Sequence, residues 1–161
     1  MPRKSTKDDK SIYQLSREGA GLTREGAAEA IGFLSADRLY LIENGKAAPH
    51  GEEVLAMAEA YGDVGLCNRY CARECPIGRK TVPEAEEKTL SQLTVEILYS
   101  LQTISREKER LIEITADGRV SEEEMPDFVA IGRELDRLAL TVDSLKLWLA
   151  DAQRKRDKAN T

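Results

Sequence analysis

The chain has 161 residues and a formal net charge of −5; 41% of its residues are apolar, 33% charged and only 5% aromatic. That length allows one or two small domains with real cores, and the charged, aromatic-poor composition favours helices over sheets. No apolar run approaches a membrane span and the N-terminus lacks the apolar core of a secretory signal, so the expectation is a cytoplasmic protein whose three cysteines are reduced thiols.

The charge is unevenly placed. Residues 1–80 hold 12 Lys/Arg and 12 Asp/Glu, leaving 12 basic and 17 acidic residues beyond them. Any surface for a polyanion is therefore expected in the N-terminal half.

In chain order, residues 1–10 carry Arg3, Lys4, Lys7 and Lys10 and read as a disordered basic arm able to lie on phosphates. Residues 11–20 form a first helix, with Ile12, Leu15 and Ser16 expected inward and Gly19 and Gly21 ending it. Thr23 is an N-cap candidate for a helix over 23–32, whose apolar side is Ala27, Ala28 and Ile31. Gly32 stands where that helix should stop. Ser35 can cap a helix over 35–44, with Leu39 and Ile42 inward and Asn44-Gly45 at its end. After an extended link at 47–50, a fourth helix covers 51–61, with Val54, Leu55, Ala58 and Tyr61 on one face. Gly62-Asp63 breaks it, and a fifth covers 64–75, ending at Pro76 and Gly78.

The stretch 23–46 has the local chemistry of a helix-turn-helix, with small Ala27 and Ala28 where two helices cross closely. Its pattern, Thr23-x-Glu25-x-Ala27-Ala28, Ile31-Gly32, Leu39 and Ile42-Glu43-Asn44-Gly45-Lys46, resembles the Xre/Cro-type, phage-repressor-like family from residue 11 to about 65. It departs from that pattern at Arg24, at Ala27 and by one extra residue between Gly32 and Glu43. The resemblance implies a compact five-helix domain over 11–79 that binds double-stranded DNA, probing the major groove with residues 35–44. It exposes Ala36, Asp37, Tyr40 and Leu41 on that helix, with Arg38 adjacent and able to reach a guanine or a phosphate; Ser35 is counted among the DNA-binding residues, and Arg24 and Lys46 hold phosphates. Ala36, Asp37 and Leu41 are poor base readers, which leaves open a helix-turn-helix fold that serves as a protein-interaction module.

Catalysis is not expected. His50 is the one histidine and stands where a helix starts, and neither a nucleophile elbow nor a phosphate-binding glycine loop is present. No cofactor is implied.

Cys67, Cys71 and Cys75 are spaced i, i+4, i+8. On a regular helix each step rises ~6 Å, so three thiolates cannot converge on one zinc. Two readings stand: a stripe of thiols packed as small apolar groups, or a metal- or thiol-sensing site in which Pro76 lets Cys75 fold back, with His50 as fourth ligand.

Residues 80–88 are polar and contain Pro83, and read as a linker. Beyond it, residues 89–155 form an antiparallel helical hairpin of coiled-coil type, with a disordered tail at 156–161. In its first helix Leu90, Ile97, Ile104 and Leu111 recur every seven residues, with Leu93 and Leu101 between. In its second, the seam runs Phe128, Ile131, Leu135, Leu138, Val142, Leu145, Leu149, Ala152. Ser121 and Glu124 make a capping box, and Pro126 predicts a kink. The turn from Glu113 to Glu124 superficially resembles a calcium loop, but its first position is Glu113 and its third Thr115, so a plain turn is the better reading. Leu140, Leu147 and Trp148, with Leu98, Leu101 and Ile112, are surplus to one seam and imply a homodimer. The fold expected overall is all-α: a five-helix domain followed by a long hairpin.

Overall fold

The computed structural model describes residues 10–160, so the expected basic arm, Lys10 apart, lies outside the described residues. All regular structure among them is helical, as the composition implied. The chain divides into two compact units, Met1–Glu84 and Ala85–Thr161. No helix among the described residues is long and apolar enough to cross a membrane.

The first unit contains α1 (Ile12–Gly19), α2 (Arg24–Ile31), α3 (Ala36–Glu43), α4 (Gly51–Tyr61), α5 (Leu66–Arg73) and a single turn, α6 (Gly78–Thr81). The first three start at hydroxyl caps: Ser11 Oγ accepts the Gln14 N–H, Thr23 Oγ1 the Gly26 N–H and Ser35 Oγ the Arg38 N–H. Gly32 closes α2 at φ +84°, a conformation only glycine takes without strain.

The core gathers one side of each of α1 to α5, with Tyr13, Ala27, Leu39, Ile42, Val54, Met57 and Leu66 all buried. Leu39 and Ile42 point inward as their spacing implied. Two faces differ from expectation. On α1 the buried residues are Tyr13, Gln14 and Arg17, while Leu15 is exposed. On α4 they include Val54, Met57 and Tyr61, while Leu55 is exposed. Over eight to eleven residues, counting apolar positions fixes a helix's rotation poorly. A long Tyr, Met or Arg stem can fill the core in place of a Leu.

Helix α5 ends two residues before Cys75, and the chain then folds back so that α6 starts against α5. A Cβ at Gly78 would stand 2.2 Å from the Cys71 carbonyl oxygen, so this approach needs glycine.

The second unit is α7 (Leu90–Thr115) packed on α8 (Met125–Ala159), made antiparallel by the connection 116–124. A capping box of Thr89 with Gln92 starts α7. Ser121 and Glu124 exchange the reciprocal bonds of a second box ahead of α8. The carboxylates of the calcium-like pattern are engaged locally: Asp117 accepts the Arg119 N–H and Glu124 the Ser121 N–H. Pro126 sits in the first turn of α8, where a missing N–H costs no helical bond, so the reason for a kink disappears. The expected tail at 156–161 is helical as far as Ala159.

The hairpin seam is rotated from the expected one. On α7 the buried residues are Leu93, Ser100 and Ile114, while Leu90 and Leu101 are exposed. On α8 they are Ile131, Thr141 and Ser144, while Phe128, Leu135 and Leu149 are exposed. Small Ser100, Thr141 and Ser144 let backbones approach, and the Thr141 and Ser144 hydroxyls bond carbonyls of their own helix at 3.0 Å. Ser144 Oγ also accepts the Glu86 N–H from the lead-in to α7.

Candidate nucleic-acid interface

Helices α2 and α3 and the turn between them carry the residues singled out in the sequence. Leu34 is buried and anchors that turn, leaving Phe33 63% exposed. With Leu39, Ile42 and Glu43 buried, the opposite side of α3 presents Asp37, Tyr40 and Leu41 to solvent, with Ala36 half-buried beside them. Ser35, exposed, is committed as the cap.

The electrostatics of this side are set from beneath by Glu43. Its carboxylate is 1% exposed, yet it accepts hydrogen bonds from Arg17 Nε at 2.5 Å, Arg17 Nη2 at 3.0 Å and Arg24 Nε at 2.7 Å. The cluster of Arg17, Arg24 and Glu43 carries a formal charge of +1, with Glu25 nearby in the first turn of α2. Arg24 also lies over the Tyr40 ring, 5.4 Å from its centroid. Lys46 lies over the same ring at 5.0 Å and reaches its hydroxyl at 3.3 Å. Tyr40 thus holds two cations side by side on the exposed surface of α3. The C-terminus of α3 places Lys46 there: Asn44 caps it, Gly45 turns at φ +66° and the Lys46 N–H bonds the Leu41 carbonyl at 2.8 Å.

Arg38 is placed differently from a free base reader. Its Nε and Nη2 each donate to Glu53 at 2.7 Å, and Nη2 also donates to the Ala48 carbonyl at 3.0 Å. The guanidinium fork therefore ties α3 to α4. The hydrogen bonds from Arg38 hold the Glu53 carboxyl below its ordinary pKa of 4.5 despite burial, helped by the His50 N–H at 2.7 Å. His50 is the residue preceding α4, with its backbone held by that bond. Sequence reasoning missed Glu43, Arg17 and Glu53. The available signal was the Glu inside Ile42-Glu43-Asn44-Gly45, a carboxylate at a helical position next to an inward Ile.

The cysteines are half-buried free thiols, and burial raises the Cys67 pKa. Cys67 and Cys71 lie on α5; Cys75 has left the helix, and its Sγ accepts the Gly78 N–H at 3.5 Å. Among the described residues no group of His, Cys, Asp and Glu side chains has a metal-binding arrangement.

Residues 14–62 match the helix-turn-helix domain family, which spans α1 to α4 and leaves the hairpin outside the match. No curated protein and no solved structure matches the chain.

Proposed function

We propose that this chain, whose residues 14–62 are a helix-turn-helix domain, is a sequence-specific DNA-binding transcriptional regulator of the Xre/Cro type, dimerising through its C-terminal hairpin. The observation that carries the reading is the paired cations at Tyr40. Arg24 and Lys46 both gather at the Tyr40 ring on the exposed face of α3, where cations can meet the phosphates beside a helix lying in the major groove. In this reading Tyr40, Leu41, Ala36 and Asp37 face the groove, and the N-terminus of α2 adds its positive end. Arg38 contributes by fixing α3 on α4, and reaches DNA only by exchanging Glu53 for a base or phosphate. Two domains of a dimer would address half-sites about one helical turn, ~34 Å, apart.

Fluorescence anisotropy with labelled duplexes across a salt series tests this. Binding should weaken steeply with salt, and Arg24→Ala and Lys46→Ala should weaken every duplex alike, because both residues act on phosphates. One observation favours a second reading, docking of a protein: Phe33 and Leu41 are exposed beside α3. An affinity for duplexes unaffected by either substitution would favour it.

A further inference from the structure

Most of the exposed apolar side chains of the second unit fall on one side of the helix pair, with Val95, Tyr99 and Val129 outside it. Taking the buried line of each helix as origin and a coiled-coil repeat, Leu101 lies ~100° around α7, and Leu98 and Ile112 lie ~150° around it. On α8, Phe128, Leu135 and Leu149 lie ~100° around in the same sense, followed by Gly132 and Ala139 at ~150°. Because the helices run antiparallel, equal rotations in one sense bring both stripes to the same side of the pair. Leu98 and Ile112 are each 61% exposed, Leu101 49%, Leu149 46%, Leu135 44% and Phe128 38%. At those heptad positions from Leu98 to Ile112 and from Met125 to Leu149, the charged residues are Lys108 and Lys146 alone, in a chain that is 33% charged.

Gly132 supplies an independent observation. A glycine inside a helix costs about 1 kcal/mol relative to alanine. Its backbone is helical and a Cβ added there meets nothing within 4 Å, so nothing within the chain requires it. Beside Ala139, it leaves a shallow place on the exposed side of α8 where another helix can approach closely.

We infer that this face, Leu98, Leu101 and Ile112 with Phe128, Leu135 and Leu149, is covered by the same face of a second copy of the chain, closing a four-helix bundle. Three arguments select that occupant. A two-helix layer with one apolar side is half a bundle, and an identical layer matches it in length and composition. The six side chains expose roughly 600 Å², near the ~800 Å² that each partner contributes to a stable interface and at the upper limit for a monomer's largest patch. The near absence of charge excludes a partner held by ion pairs. The inference deepens the proposed function by naming the dimer face, and it replaces the Leu140, Leu147 and Trp148 stripe expected from sequence, which is half-buried.

Sedimentation velocity of the full chain at tens of micromolar tests it, with circular dichroism to verify helicity. The chain should sediment at twice its mass. Leu98→Glu with Leu135→Glu, and separately Gly132→Leu, should raise the dimer dissociation constant about tenfold or more while the helices remain. A Cβ at position 132 meets nothing inside one chain, and circular dichroism verifies the helices of Gly132→Leu, so its effect on mass reads the partner. Tyr99→Glu, at a side chain 60% exposed and ~100° around α7 in the opposite sense, should leave the dimer intact. A monomeric wild-type chain, or a dimer insensitive to both variants, would overturn the proposal. The assay contains no DNA: a dimer that binds no duplex would refute the DNA reading alone, and a monomer that binds DNA would refute this face alone.

Discussion

Replacing Glu43 by alanine should unfold the helix-turn-helix unit preferentially. The carboxylate accepts two bonds from Arg17 and one from Arg24. Arg24 is 31% exposed and can turn to water when its partner is removed. Arg17 cannot: its side chain is 7% exposed, and only its Nη1 bond to the Leu22 carbonyl, at 2.6 Å, survives. Stranding a buried charge costs about 3–5 kcal/mol, and the surviving bond places this case near the lower end, about 3 kcal/mol. For a domain of this size that corresponds to a melting temperature lower by on the order of 10–20 °C. The chain carries its own internal control, because its one tryptophan, Trp148, lies on α8. Thermal unfolding followed by far-ultraviolet circular dichroism should show an early helical loss in Glu43→Ala, while Trp148 fluorescence retains its wild-type midpoint. A shift equivalent to less than about 1 kcal/mol, the size of an ordinary substitution, would refute the argument that Glu43 neutralises Arg17 in the core.

Glu53 has a lowered pKa, so its pairing with Arg38 stabilises the fold fully above the ordinary value of 4.5, and the contribution is lost as pH falls through the lowered folded value. Glu53→Gln should therefore show a shallower acid-side loss of stability than wild type in melts between pH 6 and 3. Lys46→Ala and Arg24→Ala should each reduce the slope of log affinity against log salt by about 1, measured on one duplex. Gly78→Ala should cost about 1–3 kcal/mol, because the new methyl meets the Cys71 carbonyl rather than a side chain that can move. Hydrogen exchange should then show α5 and α6 opening while α7 and α8 keep their protection.

What the sequence made legible was whatever depends on neighbours in the chain. Thr23 and Ser35 act through hydroxyls that accept an N–H three residues on, Gly32 and Gly45 through their own backbones, and all four do in the fold what their residue types imply. The inward pair Leu39 and Ile42 follows from helical spacing. What depended on partners distant in the chain was not legible. Arg17 and Glu43 are 26 residues apart, and each alone reads as a solvated charge. Arg38 looked like a base reader because its partner, Glu53, belongs to another helix. In the hairpin, the heptad count located two helices, but their buried lines run through small Ser100, Thr141 and Ser144, which hydrophobic counting ignores. Cys75 escaped the helical stripe because close packing at Gly78 draws the chain back onto α5.

In the proposed function the exposed face of α3, with Arg24 and Lys46 beside Tyr40, reads DNA. Selection of the full chain on a random duplex library, repeated at low and at near-physiological salt, tests it most directly. One enriched sequence with two-fold symmetry is expected, its half-sites separated by about one helical turn, with loss of enrichment in an Arg24→Ala/Lys46→Ala double variant that still folds. Failure to enrich any sequence at low salt, or equal enrichment by the double variant, would contradict it.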